Sequence, residues 1–153
     1  MSVKRRTSLG LILSSVASLA FIPLVACNGG DDNVTPHTTV NVSLKQFSVT
    51  PAMAAASAGD VTFHVTNAGS VIHEFLVIDT DLAPDALPTN ADGSYYENGP
   101  GTAVLGSVED MDPGVVKDLT LNLKAGKYVL ICNMVAGGVS HYASGMRTAF
   151  TVN

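Results

Sequence analysis

Tryptophan is absent from this 153-residue chain, and charged residues make up only 14% of it. The 8 basic residues are outnumbered by 13 acidic ones, for a formal charge of -5. With no positive excess to neutralise phosphates, a nucleic-acid partner is excluded. Cysteine is limited to two, which permits one disulfide at most, and four histidines leave little room for a multi-metal cluster. Any chemistry must therefore rest on very few side chains. The length suits one domain with a short appendage and excludes a large multidomain enzyme. What the chain does have is apolar residues, at 46% of the total.

The amino terminus carries its own pattern. Lys4, Arg5 and Arg6 precede an apolar stretch over 9–26 that is broken only by small polar residues and Pro23, the layout of an export signal. It ends in Leu24-Val25-Ala26-Cys27, which resembles the bacterial lipobox. That resemblance implies that residues 1–26 are a lipoprotein signal peptide and that Cys27 becomes the lipidated first residue. A transmembrane anchor with an incidental cysteine is the competing reading, but the stretch is short for a span and Pro23 lies near its end. Cleavage would remove three basic groups and no acidic one, leaving five against thirteen and a charge of -8. Residues 27–37, with Gly29-Gly30-Asp31-Asp32, have the composition of a flexible tether that keeps the domain at 38–153 off the bilayer. Asn28 lacks the Asp that the lipoprotein pattern associates with inner-membrane retention. The expected location is therefore outside the cytoplasm, lipid-anchored to a membrane, periplasmic or at the cell surface, with the outer membrane favoured in a diderm source.

From Thr38 onward the hydrophobic period is two. Val40, Val42 and Leu44 share a face, and Phe47 and Val49 follow after a change of phase near Lys45 that reads as a bulge or a bend. Val61, Phe63 and Val65 alternate with Thr62, His64 and Thr66. Asn67-Ala68-Gly69 then supplies turn chemistry before the apolar run over 71–78, and the two runs read as neighbouring strands. Leu119, Leu121 and Leu123 alternate again, Tyr128, Leu130 and Cys132 share a face, and Phe150 and Val152 close the chain. The Ala-rich piece at 51–58 is too short for a stable helix. An all-β, two-sheet sandwich is expected. Residues 79–114 turn to Pro, Asp, Gly and Asn, with only 103–108 patterned to pair. So long an irregular segment is expected to pack over one sheet or end, with Tyr95-Tyr96 as its anchor.

If lipid occupies Cys27, Cys132 has no partner in an oxidising compartment. A buried, inert thiol is one explanation. The setting suggests another, because Cys132 ends a strand and is followed by His141 and Met146. A thiolate, imidazoles and a thioether form the soft and borderline donor set that suits copper, with two His and one Cys in a near-trigonal plane and a weak axial Met. His73 supplies a second imidazole, in phase with Phe75 and Val77 and so on the apolar side of its strand. An imidazole there needs a polar partner, and a metal can serve.

Taken together, His73 in Ser70-Val71-Ile72-His73-Glu74-Phe75, the stretch Gly126-Lys127-Tyr128-Val129-Leu130-Ile131-Cys132-Asn133, and the closing segment from His141 to Val152 resemble the cupredoxins, the type 1 blue copper domains. The resemblance spans roughly 40–152, with its specificity in the last third and its flavour sulfocyanin- and rusticyanin-like. It implies a Greek-key β-sandwich and one type 1 copper ion cycling between Cu(I) and Cu(II). The ligands it implies are His73, Cys132, His141 and an axial Met146. Eight residues separate Cys132 from His141, more than in many members, and Ala136-Gly137-Gly138 lies among them. That loop is expected to expose the metal edge or loosen the site. Met134 within it competes with Met146 for the axial place. His64 falls in the solvent-side phase, His37 reads as solvated, and Glu74 points across the sheet toward a surface role. The resemblance also gives Asn67 and Asn133 a part in organising backbone near the metal.

The expected function is single-electron carriage between redox proteins at the cell envelope by a monomer, not catalysis. A copper buffer or chaperone, or a metal-free interaction domain with the same fold, is the alternative. Multicopper oxidases and copper nitrite reductases need further His clusters that His37 and His64 are too isolated to supply. Ser140-His141 lacks the glycine pattern of a nucleophile elbow and forms no triad.

Overall fold

The computed structural model describes residues 36–153. The lipobox and Cys27 lie outside the described residues, as does all but the last part of the tether. His37, assigned to the tether on sequence, is already the first residue of a strand.

Alternation sets the first sheet. Strand β1 (His37–Lys45) buries Val40, Val42 and Leu44 and turns their neighbours outward. The phase change at Lys45 is a hairpin turn at Gln46-Phe47, neither bulge nor simple bend, because β2 (Ser48–Pro51) returns antiparallel along β1. Strand β3 (Ala55–Ala56) takes up the Ala-rich piece in extended form. Strand β4 (Gly59–Asn67) buries Val61, Phe63 and Val65. It lies parallel to β1 and antiparallel to β7 (Val116–Leu123), giving a four-stranded sheet ordered β2-β1-β4-β7.

The second sheet contains β5 (His73–Thr80), β6 (Thr102–Met111), β8 (Gly126–Ile131) and β11 (Arg147–Val152), in the order β3-β11-β8-β5-β6. The runs that read as neighbouring strands, β4 and β5, therefore sit in opposite sheets. The loop over 68–72 carries the chain across the sandwich, so the two runs meet face to face. Phe63 of β4 packs on Phe75 of β5 and Phe150 of β11, each with ring centroids 5.4 Å apart, and these contacts join the sheets. The architecture is the all-β sandwich expected from the periodicity, and among the described residues there is no helix.

The sheets differ in how they are covered. The inner face of the five-stranded sheet gives Phe75, Val77, Leu130 and Cys132 to the main core. Its outer face gives Leu76, Ile78, Val129 and Ile131 to a second core with Leu87, Tyr95 and Tyr142. The irregular stretch 81–101 provides that cover. Tyr95 is the anchor, fully buried with its hydroxyl donating to Thr102 Oγ1 at 2.8 Å, whereas Tyr96 remains 53% exposed. The pairing segment of this region extends beyond 103–108 to all ten residues of β6.

Candidate metal centre

Three separate pieces of chain converge at one end of the sandwich. His73 opens β5, immediately after the crossover loop. That loop is fixed by Asn67, which is fully buried: its amide donates to the carbonyls of Val71 at 2.8 Å and Met111 at 2.6 Å, and its Oδ1 accepts the Gly69 N–H at 2.9 Å. Cys132 follows the end of β8, and its N–H donates to the Met146 carbonyl at 3.0 Å. His141 ends the intervening loop, its N–H donating to the Met134 carbonyl at 2.9 Å.

The loop is not loose. It folds as a hairpin of β9 (Val135–Ala136) and β10 (Val139–Ser140), joined by Gly137 and Gly138 at φ 59° and 79°. A two-residue hairpin turn requires such positive φ values, and glycine supplies them without strain. The expectation of an exposed metal edge is therefore corrected, because His141 is only 3% exposed. The Phe47 ring covers it edge-on, centroids 5.6 Å apart.

Within this enclosure His73 Nδ1 lies 3.2 Å from His141 Nδ1, and Cys132 Sγ lies 3.7 Å and 3.4 Å from those two nitrogens. A point equidistant from three atoms so spaced lies about 2 Å from each, the bond length of a transition metal to imidazole and slightly short of one to thiolate. Two imidazoles and one sulfur around a near-trigonal point fit a single type 1 copper ion. Met146, fully buried in the same core as Cys132, donates its N–H to the His141 carbonyl at 3.0 Å, so its backbone links both sulfur-bearing and imidazole donors. Met134 packs half-buried against that core.

Burial governs the charges here. It pushes His73 down to about 4, aided by neighbouring His141, and lowers His141 as well. It pushes the Cys132 thiol up to about 11, against the backbone hydrogen bonds of Glu74 and Met134. At neutral pH both imidazoles are thus free to donate lone pairs, and a cation entering the centre must displace one thiol proton.

One residue beside the donors corrects a sequence expectation. Glu74 is half-buried and not a surface group. Burial pushes its carboxyl up to about 7, with Glu97 and Glu109 adding to the rise, and its backbone N–H approaches Cys132 Sγ at 3.5 Å. Asn133 organises a distant segment: its Oδ1 accepts the Tyr95 N–H at 2.6 Å and its Nδ2 donates to the Tyr95 carbonyl at 3.1 Å. The irregular stretch 81–101 is thereby pinned beside the thiol, and Ser140 Oγ adds a second tie to the Gly93 carbonyl at 2.9 Å. By contrast, His64 faces outward and pairs with Asp118 at 2.6 Å, and His37 is exposed against Thr62 at 3.0 Å.

Comparison of the whole domain with solved structures decides the architecture. Reduced auracyanin from Roseiflexus castenholzii superposes with a TM-score of 0.54 at 18% identity, covering 76% of this chain and 97% of that one. Auracyanin A, a "blue" copper protein from Chloroflexus aurantiacus, superposes with a TM-score of 0.52 at 19% identity, covering 77% and 100%. This chain has the cupredoxin fold. Rusticyanin from Thiobacillus ferrooxidans gives a TM-score of 0.46 at 19% identity, over 76% and 77%. No family model and no curated protein matches the sequence. In this cupredoxin sandwich the donor triangle occupies one pole, where the loops between the two sheets gather.

Proposed function

We propose that this protein holds one type 1 copper ion through His73, Cys132 and His141, with Met146 as axial thioether, and carries single electrons between redox proteins. The observation that carries the reading is the triangle of two Nδ1 atoms and one Sγ around a point about 2 Å from each. Bound there, copper would supply a one-electron couple. The protein's part is to hold the donors in one arrangement, so that little rearranges when an electron moves. His73 sits at the start of a paired strand, Cys132 is tied to Met146, and His141 is tied to Met134. Auracyanin A, which shares the fold, is a blue copper protein. Full burial of His73, Cys132 and Met146 favours a retained ion over one handed on by an exposed chaperone site.

The reading includes a place for the molecule. Export through residues 1–26 and lipidation at Cys27 put it at the cell envelope, anchored to a membrane, periplasmic or surface-facing, as a monomer. Mass spectrometry of the membrane-associated protein tests this, with acylation at Cys27 and loss of the anchor in Cys27→Ala as the expected result.

Adding Cu(II) to the purified protein tests the centre. An intense thiolate-to-copper visible band is expected, absent in Cys132→Ser, and it should vanish and return through cycles of reduction and oxidation. A colourless complex, or reduction with no recoverable Cu(II) state, would replace the carrier with a copper buffer.

A further inference from the structure

The metal reading leaves one atom unexplained. With Nδ1 facing the centre, the His73 ring must carry its proton on Nε2, and Nε2 is buried with no hydrogen-bond partner. A buried N–H left unpaired is costly, and metal-bound imidazoles almost always donate their second N–H. An acceptor for it must therefore stand close by.

Gly69 shows where. The point that a Cβ on Gly69 would occupy is 2.7 Å from His73 Nε2, 2.5 Å from Gln46 Oε1 and 3.2 Å from Asn67 Oδ1. Both side-chain oxygens and the imidazole edge thus border the one small space that the absent Gly69 side chain leaves open. Asn67 is immobilised by two donated bonds and one accepted bond, and is fully buried. Gln46 is different. It lies on the exposed turn between β1 and β2, and among the described residues its head group is held by Ser70, accepting the Ser70 N–H at 3.1 Å and donating to Ser70 Oγ at 2.8 Å. Sharing that point, its Oε1 and the His73 Nε2 are at most about 5 Å apart, within the reach of a long side chain that changes a torsion, and Oε1 has a second lone pair besides the one that accepts from Ser70.

We propose that Gln46 is a positioning residue for the copper centre, its Oε1 accepting the His73 Nε2–H across Gly69 and holding the ring with Nδ1 toward Cys132. Gly69 is required because any side chain would fill the space between donor and acceptor. The neighbouring Phe47 packs on His141, so one two-residue turn braces both imidazoles from outside. The inference rests on the copper reading above.

The test uses full-length protein loaded with copper and reduced, so that the diamagnetic Cu(I) form gives proton and nitrogen NMR signals from the imidazoles. In the wild type the His73 Nε2–H should exchange slowly with water. In Gln46→Ala it should exchange at least about tenfold faster and the reduction potential should move, while the visible band of the oxidised form persists. Gln46→Glu keeps an acceptor oxygen and should restore slow exchange. Gly69→Ala should lose the slow signal and shift the visible band. A wild-type exchange rate and potential in Gln46→Ala would overturn the proposal, as would a slow N–H that survives in Gly69→Ala. A wild-type protein that forms no coloured copper complex would overturn the metal reading and this inference with it, so the two failures are told apart.

Discussion

The outer face of the four-stranded sheet and the metal pole both present imidazoles from β-strands, and they treat them in opposite ways. On the outer face the imidazoles and several of their polar neighbours are answered one strand away: His64 by Asp118 at 2.6 Å, His37 by Thr62 at 3.0 Å, Thr62 by Thr120 at 2.7 Å, Asp60 by Asn122 at 2.7 Å. At the metal pole His73 is sealed from solvent with Nε2 unanswered, and its other nitrogen points at a second imidazole and a thiol. The difference teaches that histidine alone marks nothing. Function shows where burial has a cost that the surrounding protein does not offset.

The sharpest way to break this contrast is to remove one imidazole from each region. His73→Ala should lower copper affinity by at least about 100-fold in chelator competition, because a direct donor is lost where even indirect supports are worth 10- to 100-fold. His64→Ala should leave the affinity unchanged within error. Equal losses would erase the distinction. A smaller effect separates the two regions' asparagines. Asn133→Ala strands the Tyr95 backbone N–H and should cost about 1–3 kcal/mol in denaturant unfolding of the metal-free protein. Asn122→Ala, on the exposed face, should cost less than about 0.5 kcal/mol.

Acidity offers a finer probe. His73 falls from 6.5 to about 4 on folding, so its contribution is present above pH 6.5 and is lost as pH drops toward 4. Glu74 rises from 4.5 to about 7, so its contribution is present below pH 4.5 and is lost as pH climbs toward 7. The two slopes oppose each other over nearly the same window. Metal-free Glu74→Gln should therefore show stability rising with pH between 4.5 and 6.5 more steeply than the wild type, as read from urea midpoints. A small effect is also expected on the outer face. A double-mutant cycle of His64→Ala and Asp118→Ala should return a coupling below about 1 kcal/mol that shrinks with added salt.

Much of the sandwich was legible because its strands keep strict alternation: Val40-Val42-Leu44 and Val61-Phe63-Val65 could bury only one face each. Sheet membership was not. Nothing in Asn67-Ala68-Gly69 distinguishes a turn within a sheet from a crossing between sheets, and only the packing of Phe63 on Phe75 settles it. At the candidate site, scarcity helped. With so few Cys and His residues, His73, Cys132 and His141 stood out by type, spacing and phase, and the structure gathers all three. The hairpin inside their loop also carries a local signal, since Gly137-Gly138 between Ala136 and Val139 is a two-residue turn signature. The raised carboxyl of Glu74 and the pinning of Tyr95 by Asn133 had no local signature. Each depends on residues more than 20 positions away.

The donors are not equally anchored, and this sets a direction for losing the ion. His73 begins β5 and Cys132 directly follows β8, strands paired with each other and covered on both faces, whereas His141 hangs from the glycine-tipped hairpin. Thermal opening reaches a peripheral hairpin long before it reaches a doubly covered strand pair. Under the copper reading, release would therefore start with the imidazole of His141 swinging away, leaving His73, Cys132 and Met146 in place. The lifetime of the loaded protein would then follow the fraying of that hairpin, not the melting of the sandwich.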